Sequence, residues 1–575
     1  MNHYRLILND IRPWESASIC RTGLSRRRRV PPRNDRGVRA GGTHPLRRCG
    51  YAVSVPEPRE QRHINPWIIA ISVMFCTFME VLDTTVVNVS LPHIGGDLSA
   101  SIDEVTWVLT SYLVANAIIL PITGWLSNQF GRKRLLMTSV IGFTLASFLC
   151  GAAPSLGLLI LFRVIQGACG GALQPLSQAV LLEAFPPEER GKAMGFWGLG
   201  IVVAPVLGPV LGGWLTDSYS WRWVFYINLP VGIISLLMVK AYVFDPSYIS
   251  RKEDQGIDYW GIGMLAIWVA ALQIAFDKGQ ELDWFSSHLI NSLLAIAACF
   301  IIAFLVRELR ADHPVVNLRI FKIRSYATGV ILMTVLGFVL YGSIVLIPIW
   351  LQTLIGYSAV SAGITMMPRG LGSMVGMPLI GTILPKFDAR KVLVVGLILG
   401  AASTYQLARL DLNVGYWDLF WPQFIQGFGL GCIFVPLTTI SMANVPREGM
   451  GNAASLFNLM RNLGGSVGIS VLTMLNTRYQ QKYTSILGSN VNASNPAEQQ
   501  WFSSLRGLFM NNGAGPGLAD RKAYGMLFGM VQQQAAMRSF LDLFFLITAV
   551  FLLMIPLVAI MKKPGARPGA GAAVH

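Results

Sequence analysis

The feature that most constrains this chain is a series of apolar runs, each about 20–28 residues long, that recur along most of its length. An α-helix needs roughly 20 residues to cross the hydrocarbon core of a bilayer. Hydrophobic residues make up 53% of the 575 residues and charged residues 13%, which excludes a soluble multidomain protein. The sequence therefore predicts an all-α polytopic membrane protein with about fourteen spans, near 66–88, 104–127, 134–152, 155–183, 190–215, 222–244, 258–277, 287–308, 326–354, 359–384, 391–409, 416–441, 449–475 and 539–561.

The short connections between these spans fall into two sets that differ in basic residues. Cytoplasmic loops retain Lys and Arg, whereas translocated loops lose them. One set carries basic clusters, as at 132–134 and 386–391, while the other, as at 91–103 and 411–416, is nearly free of them. This alternation predicts that both termini lie in the cytoplasm, as an even number of spans also requires.

Two acidic residues, Glu80 and Asp83, lie one helical turn apart inside the first apolar run. A carboxylate at membrane depth costs roughly 2.5–3.5 kcal/mol on insertion scales, so it normally faces a cavity or a polar partner rather than lipid. The i, i+3 spacing places both side chains on one face of the helix. We expect this pair to load and release protons; the alternative is a structural hydrogen bond to a neighbouring helix.

Three arginines lie inside other predicted spans: Arg163 in span 4, Arg369 in span 10 and Arg461 in span 13. Because an arginine stays protonated, each of them needs an acceptor or a water-filled cavity. We expect Arg163 to act on a nearby carboxyl group and to complete the proton-coupling site. We place Arg369 and Arg461, with Asn116 and Gln166, along a substrate path. The alternative for all three arginines is a structural tie between helices.

The chain also contains an internal repeat. The segment Ile165-Gln166-Gly167 recurs as Ile425-Gln426-Gly427, and Gly124 recurs as Gly381, both at shifts of about 260 residues. Many secondary transporters are built from parallel six-helix repeats around a central path. The repeat therefore predicts two six-helix halves plus an inserted two-helix hairpin, with an N-terminal half at 65–244, the hairpin at 258–308, and a C-terminal half at 326–561 that includes an outer loop at 476–538.

Two short segments flank this membrane domain. Residues 1–64 contain fourteen arginines against five acidic residues and few large apolar ones, which predicts a disordered basic cytoplasmic tail. One possibility is that the tail touches anionic lipid headgroups. The alternative is a solvated extension, or even one that lies upstream of the true start of translation. Nucleic-acid binding is not expected. Residues 562–575 are predicted to form a second cytoplasmic tail.

The seven cysteines show no paired spacing, so we expect no disulfide framework and no metal site.

Two regions have the composition expected of moving parts. The connection between spans 2 and 3 is tight and places three cations at the membrane surface, where they can latch the halves in one state. Span 5 is rich in Gly, which permits close helix contact, and in Pro, which removes backbone hydrogen bonds. The alternative for span 5 is a packing kink without a mechanistic role. For conformational gating we single out Gly124, Gly131, Arg132, Lys133, Pro205, Gly208, Pro209 and Gly212.

Taken in order, these motifs resemble the major facilitator superfamily, specifically its fourteen-span drug:proton antiporters of the EmrB/QacA kind. The resemblance implies that Asp83 takes part in proton coupling. It extends over residues 66–561. The segments that carry it are the first-span signature Leu82 to Pro92, the loop Gly124 to Arg134, the span 4 motif Arg163 to Gly167, the span 5 antiporter motif Ala204 to Gly213, and two marks of the fourteen-span group, Trp221 to Pro230 and Arg461 to Ser466.

One position departs from the pattern of the superfamily. The loop motif usually has an acid where this chain has Asn128, and a basic residue where it has Gln129. A gate based on charge is weakened by these two changes. Some EmrB-like members also lack that acid, so the departure favours this subfamily rather than arguing against transport.

The long outer segment at 476–538 is also similar to that of EmrB-like proteins. Its stretch from Tyr524 to Phe540 is expected to form an amphipathic helix on the outer surface. By resemblance, this segment would meet a periplasmic adaptor of the EmrA kind, which joins an outer-membrane channel. The alternative is a surface flap without a partner.

Residues and resemblance together predict a proton-coupled exporter of hydrophobic or amphipathic compounds in a bacterial inner membrane. The proton gradient is the expected energy source, with no cofactor, and no phosphate-binding loop pattern is present in the sequence. The alternative is a dedicated exporter of one metabolite, siderophore or aromatic acid on the same scaffold. We do not expect an enzyme, because His93, His288 and His313 are dispersed rather than clustered with other catalytic residue types.

Overall fold

A computed structural model of the chain describes residues 65–245, 258–311, 314–489, 491 and 496–561. The predicted tails at 1–64 and 562–575 lie outside this range. Regular structure within it is helical. The helices are α1 Pro66–Asp97, α2 Ile102–Val105, α3 Trp107–Phe130, α4 Arg132–Gly151, α5 Leu156–Gly170, α6 Leu173–Ala184, α7 Arg190–Ser218, α8 Trp223–Tyr226, α9 Asn228–Tyr242, α10 Tyr259–Lys278, α11 His288–Arg310, α12 Arg324–Thr353, α13 Ala359–Ile383, α14 Ala389–Leu407, α15 Tyr416–Ala443, α16 Met450–Ser489, α17 Pro496–Asn511 and α18 Pro516–Ile560, with short 3-10 turns at Trp284–Ser286, Leu318–Lys322 and Arg447–Gly449.

Most of these helices can cross a membrane. By length and composition, 11 helical segments of the described chain qualify as candidate spans. Helices α13, α14 and α16 fall at the positions of predicted spans 10, 11 and 13, although charged and small residues lower their mean hydropathy. The all-α polytopic fold predicted from the sequence is confirmed.

The two predicted halves use the same helix pairs. In the N-terminal half α1 packs against α7 and α3 packs against α5; in the C-terminal half α12 packs against α16 and α13 packs against α15. The sequence repeat equates the helices of the first set with those of the second. The packing therefore follows the internal repeat that the sequence shows.

Helix ends depart from the predicted spans where local chemistry allows it. Helix α1 begins at Pro66, where the Asn65 side chain accepts a hydrogen bond from the Trp67 backbone N–H at 3.0 Å. It continues through Pro92 to Asp97, beyond the predicted end of span 1, because one proline removes a single backbone hydrogen bond without ending a packed helix. Span 4 is two helices, α5 and α6, broken after Gly170.

The inserted hairpin, α10 and α11, touches both halves through α10. On the N-terminal side, the Thr110 hydroxyl of α3 donates to the Asp277 carboxylate. On the C-terminal side, the Ser466 hydroxyl donates to Gln273 Oε1 at 3.0 Å, and the Ser470 hydroxyl donates to the Phe276 carbonyl at 2.6 Å. Helix α10 is therefore placed between the two halves rather than at the edge of one of them.

The segment predicted as an outer loop, 476–538, is largely helical. Helix α16 extends through its first residues, α17 follows, and α18 runs unbroken from Pro516 into the last predicted span. The predicted short helix from Tyr524 to Phe540 is thus the middle of one long helix, since no proline interrupts the chain between Pro516 and Pro556. Helices α17 and α18 pack through Leu505, Ala523 and Leu527 and are joined by an Arg506–Asp520 ion pair at 2.7 Å.

Candidate functional site

The deepest polar cluster of the N-terminal half is centred on Asp83. Its carboxylate accepts hydrogen bonds from Arg163 Nη1 at 2.6 Å, from Gln166 Nε2 at 3.0 Å and from Asn228 Nδ2 at 2.7 Å. All four side chains are fully buried. A buried carboxylate is stabilised by such charge-assisted hydrogen bonds, and its arginine partner is stabilised in turn.

Arg163 is held by helix α3 as well as by Asp83. Its Nε donates to the Val108 carbonyl at 3.0 Å, and its guanidinium lies 4.1 Å from the centre of the Tyr112 ring. This proximity depends on Gly167, since a Cβ at that position would overlap the Tyr112 carbonyl oxygen. The span 4 motif therefore brings α5 against α3 and carries the arginine to the carboxylate.

Glu80 is the more accessible member of the acid pair. Asn116 Nδ2 donates to Glu80 Oε1 at 2.9 Å, and the Gln174 side chain also interacts with the carboxylate, although Oε2 makes no direct hydrogen bond. The residue is 6% exposed, against 0% for Asp83. A buried carboxylate oxygen without a donor is costly, which makes Glu80 a natural place for a proton to bind.

Residues of the C-terminal half also lie near Glu80. Arg461 on α16 interacts electrostatically with Glu80, and its Nη2 donates to Gln174 Oε1 on α6. One turn away, Asn458 Nδ2 donates to Gln178 Oε1 at 2.6 Å. Glu80 therefore lies beside a polar contact between the two halves.

The sequence-predicted site residues form two groups. Glu80, Asp83, Arg163, Asn116 and Gln166 lie together in the N-terminal half, with Arg461 opposite them. Arg369 lies apart, inside the C-terminal half, where its Nη2 donates to the Ser343 hydroxyl at 3.1 Å.

Sequence reasoning missed two members of this cluster, Asn228 and Gln174. Asn228 lies within the segment from Trp221 to Pro230 that marks the fourteen-span group, so a signal was present, but nothing in the segment says which neighbour the amide contacts. Gln174 follows the span 4 motif without a motif of its own.

At the end of the molecule that carries the basic loops, the two halves meet through glycines. A Cβ at Gly124 would lie 2.6 Å from the Asn452 Cα, and one at Gly381 would lie 2.8 Å from the Lys192 Cα. Gly124 and Gly381 are the repeat-related positions noted in the sequence. Each half thus contributes the same glycine to a contact with the opposite half, and this end of the molecule is closed.

The remaining residues of the span 2–3 loop bind within the N-terminal half. Gly131 has a φ of +85°, a left-handed conformation that favours glycine. Arg132 forms an ion pair with Glu183, and the Lys133 backbone N–H donates to Asp245 Oδ1 at 2.8 Å. The Arg132 side chain and the Lys133 backbone fix the loop to its own half, whereas the sequence predicted that the cations latch the two halves; the contact across the halves is made by Gly124.

Span 5 is helix α7, and its small residues lie against α1 close to the acid pair. A Cβ at Gly208 would overlap the Thr85 hydroxyl, and one at Gly212 would lie 2.8 Å from the Val86 carbonyl oxygen. Pro205 and Pro209 lie inside the helix and remove two backbone hydrogen bonds from it. Helix α7 is therefore both closely packed on α1 and locally weakened.

The side chains that the structure describes around the acid pair do not form a metal-binding site. Within the part of the chain that the structure describes, no group of three or more His, Cys, Asp or Glu side chains is arranged to hold a metal ion. The chemistry available to the site is that of carboxylates, arginines and amides, which bind protons and polar groups.

Comparisons with known proteins identify the family of this chain. The sequence model of the Major Facilitator Superfamily matches residues 73–469 of this chain. The chain is 38% identical over 509 residues to Multidrug export protein EmrB of Escherichia coli (strain K12), covering 88% of this chain and 98% of that protein. It is 35% identical over 504 residues to Fatty acid resistance protein FarB of Neisseria gonorrhoeae, covering 88% of this chain and 97% of that protein.

Among solved structures, the human organic anion transporter MFSD10 has the same fold. The TM-score is 0.56 at 13% sequence identity, with 86% of this chain and 100% of that chain covered. The resemblance predicted from the motifs is confirmed. The chain belongs to the Major Facilitator Superfamily and, within it, to the EmrB-like group of multi-pass inner-membrane proteins.

Proposed function

We propose that this protein is a proton-coupled exporter of hydrophobic and amphipathic compounds across the bacterial inner membrane. The observation that carries the proposal is the buried Glu80 carboxylate, which has one oxygen without a direct hydrogen bond and interacts electrostatically with Arg461 of the opposite half. Relatives named for multidrug export and for fatty acid resistance favour a broad hydrophobic substrate class over a dedicated exporter of one metabolite.

The mechanism follows from the two carboxylates of α1. Protonation of Glu80 removes its attraction to Arg461 and weakens a link between the halves. Protonation of Asp83 would release Arg163, which otherwise holds α5 to α1. Substrate and proton favour different states of the two halves, and that difference in binding supplies the coupling. The proton gradient is the only energy source that the proposal needs.

The test is export from proteoliposomes under an imposed pH gradient, with the lipophilic cation tetraphenylphosphonium as the probe. The parent should accumulate the probe against its gradient. Glu80→Gln and Asp83→Asn should each abolish gradient-driven transport while binding of the probe stays detectable. Glu104→Gln is the matched control, because Glu104 is an exposed residue whose carboxylate accepts hydrogen bonds from the neighbouring Ser101, and it should transport normally. Unchanged uphill export by both α1 variants would remove the acid pair from the mechanism.

The proposed orientation places both termini in the cytoplasm. The basic clusters of the short loops support it, because cytoplasmic loops retain Lys and Arg. In that orientation the glycine contacts of Gly124 and Gly381 close the cytoplasmic side. Labelling of single cysteines from each side of right-side-out vesicles tests it: a cysteine at Asn128 should react only after the membrane is permeabilised.

We further propose that α17 and the first part of α18 bind a periplasmic adaptor of the EmrA kind, which joins an outer-membrane channel. Both helices extend beyond the span that α18 completes, and they expose large apolar side chains that include Trp501, Leu518, Tyr524 and Phe528. Exposed apolar surface of this kind marks a protein interaction site.

Co-purification with a co-expressed adaptor tests this surface. Replacing Trp501 and Phe528 together by Ala should reduce recovery of the adaptor about tenfold or more, as expected for aromatic anchors of an interface. Trp417→Ala is the control, because Trp417 is a similarly exposed tryptophan on another helix. Equal recovery with all variants would leave the segment as a surface flap.

A further inference from the structure

The internal repeat places Arg369 where the N-terminal half has Tyr112. A Cβ at Gly427 would overlap the Arg369 carbonyl oxygen, just as one at Gly167 would overlap the Tyr112 carbonyl oxygen. Gly427 and Gly167 are the repeat-related glycines of the two Ile-Gln-Gly segments. The same helix contact thus occurs in both halves, and the polar groups around it can be compared directly.

The comparison shows that, among the residues that the structure describes, the buried Arg369 has no carboxylate partner such as Arg163 has. In the N-terminal half the buried arginine faces the carboxylate of Asp83 on α1. In the C-terminal half Arg369 is 7% exposed, and the corresponding helix, α12, offers it only the Ser343 hydroxyl. That hydroxyl itself donates to the Leu340 carbonyl at 3.0 Å. Among the described residues, no carboxylate pairs with Arg369, and its Nη1 has no hydrogen-bond partner.

A small cavity lies against this unpaired guanidinium. Its polar lining is Arg369 and Gln426, and its apolar lining includes Leu336, Val339, Leu430 and Phe551. The Gln426 side chain is 4% exposed, and its Oε1 has no partner, so a rotation of the amide can present its NH₂ group to a ligand instead. The cavity has room for about one water-sized group, such as a halide or one carboxylate oxygen, and it is partly open, so the rest of a larger molecule can lie outside it.

A buried cation without a partner is strongly unfavourable, whereas a small anion in this cavity would satisfy it. We propose that the Arg369 cavity is an anion site that binds one small monovalent anionic group. The group is either a halide from solution or the carboxylate of an amphipathic substrate, and the second source rests on the export function proposed above. Bound there, the anion does for Arg369 what Asp83 does for Arg163.

Binding to the purified full-length protein tests the site without any pH gradient. The first arm measures thermal unfolding in sodium chloride against sodium gluconate at constant ionic strength. The second arm measures binding of laurate and of dodecanol by calorimetry. Chloride should raise the unfolding temperature of the parent, and laurate should bind about tenfold more tightly to the parent than to Arg369→Gln, as expected for loss of a charge-assisted hydrogen bond. Dodecanol should bind both proteins alike.

The two arms separate the two sources of the anion. If chloride stabilises the parent and the affinity for laurate is the same in the parent and in Arg369→Gln, the occupant is the halide. If chloride weakens the binding of laurate, the carboxylate binds at the same site. Arg409→Gln is the matched control, since Arg409 is an exposed arginine of the same half, and it should behave as the parent does.

A second variant keeps the inference testable if Arg369→Gln does not fold. Val339→Asp places a carboxylate on α12, in the cavity lining, and should remove the stabilisation by chloride because the protein then carries its own counterion. Uphill export of tetraphenylphosphonium by Arg369→Gln is scored separately, and its loss or survival bears on the export function alone. If chloride and laurate act equally on the parent and on Arg369→Gln, the cavity holds only water and the inference is overturned.

Discussion

The N-terminal and C-terminal halves share a backbone plan but differ in how they treat buried charge. In the first half Arg163 is paired with Asp83 on α1, and Glu80 lies one turn away on the same helix. In the second half Arg369 has only the Ser343 hydroxyl, and α12 carries no acidic residue. The glycines that set the helix contacts are retained in both halves, whereas the polar side chains are not.

This difference indicates a division of labour between the halves. Close packing at Gly167 and Gly427 fixes where a buried side chain can be placed in each half. Under the export function and the anion site proposed above, the polar side chains there suit the N-terminal half to binding a proton and the C-terminal half to binding an anion. The acid pair of α1 lies in the N-terminal half, and Arg461 of the C-terminal half interacts electrostatically with Glu80. Proton exchange is therefore expected to depend mainly on the first half.

The largest predicted effect breaks the charge balance of the N-terminal half. Asp83→Asn leaves the Arg163 guanidinium buried without a counterion, which should destabilise the protein by about 3–5 kcal/mol. Arg369→Gln removes a cation that has no ion pair in the described chain and should cost far less. Thermal unfolding in detergent with gluconate as the anion measures both variants. Adding Arg163→Gln to Asp83→Asn should restore much of the stability but none of the gradient-driven transport. Equal destabilisation by Asp83→Asn and Arg369→Gln would show that the halves do not differ in this way.

A smaller effect is expected where the halves are alike. Gly124→Ala and Gly381→Ala each force a methyl group onto the backbone of the opposite half, so each should disfavour the closed state by about 1–3 kcal/mol. Distances between spin labels at Asn128 and Lys386 should lengthen in both variants. Gly96→Ala is the control, because a Cβ there meets nothing within 4 Å. A response to only one of the two glycines would contradict the symmetry of this contact.

The smallest effect concerns the hairpin between the halves. Ser466→Ala removes the hydrogen bond to Gln273 and should cost about 1 kcal/mol, while Thr110→Val should cost more because its acceptor, Asp277, is a carboxylate. Unfolding midpoints and transport rates of the two variants measure how firmly α10 is tied to each half. If neither variant changes either quantity, the hairpin is not held by these contacts.

The sequence predicted the helical fold well, because each helix that spans a membrane requires a long apolar run and the loops between spans differ in their basic residues according to the side on which they lie. It also placed Glu80, Asp83 and Arg163 on spans whose packing brings them together. It did not reveal that Asn228 completes the Asp83 cluster, since that contact depends on how α9 lies against α1 and α4. Likewise, the gap between the last two predicted spans suggested an outer loop at 476–538, but the packing of α17 on α18 stabilises helices there.

Arg369 illustrates the same limit. A single arginine in an apolar run indicates that the side chain needs a hydrogen-bond acceptor. The sequence of the run does not show whether a carboxylate of another helix lies near it. Only the three-dimensional arrangement of α12, α13 and α15 shows Ser343 and a small cavity at that place.

The most direct test of the central claim is proton release on substrate binding. Purified protein in weakly buffered detergent solution at neutral pH is mixed with saturating tetraphenylphosphonium, and released protons are counted with a pH indicator. If the carboxylates of α1 exchange a proton for substrate, the parent releases protons and the variant that combines Glu80→Gln with Asp83→Asn binds the probe but releases none. Proton release by that double variant equal to the parent's would contradict the claim.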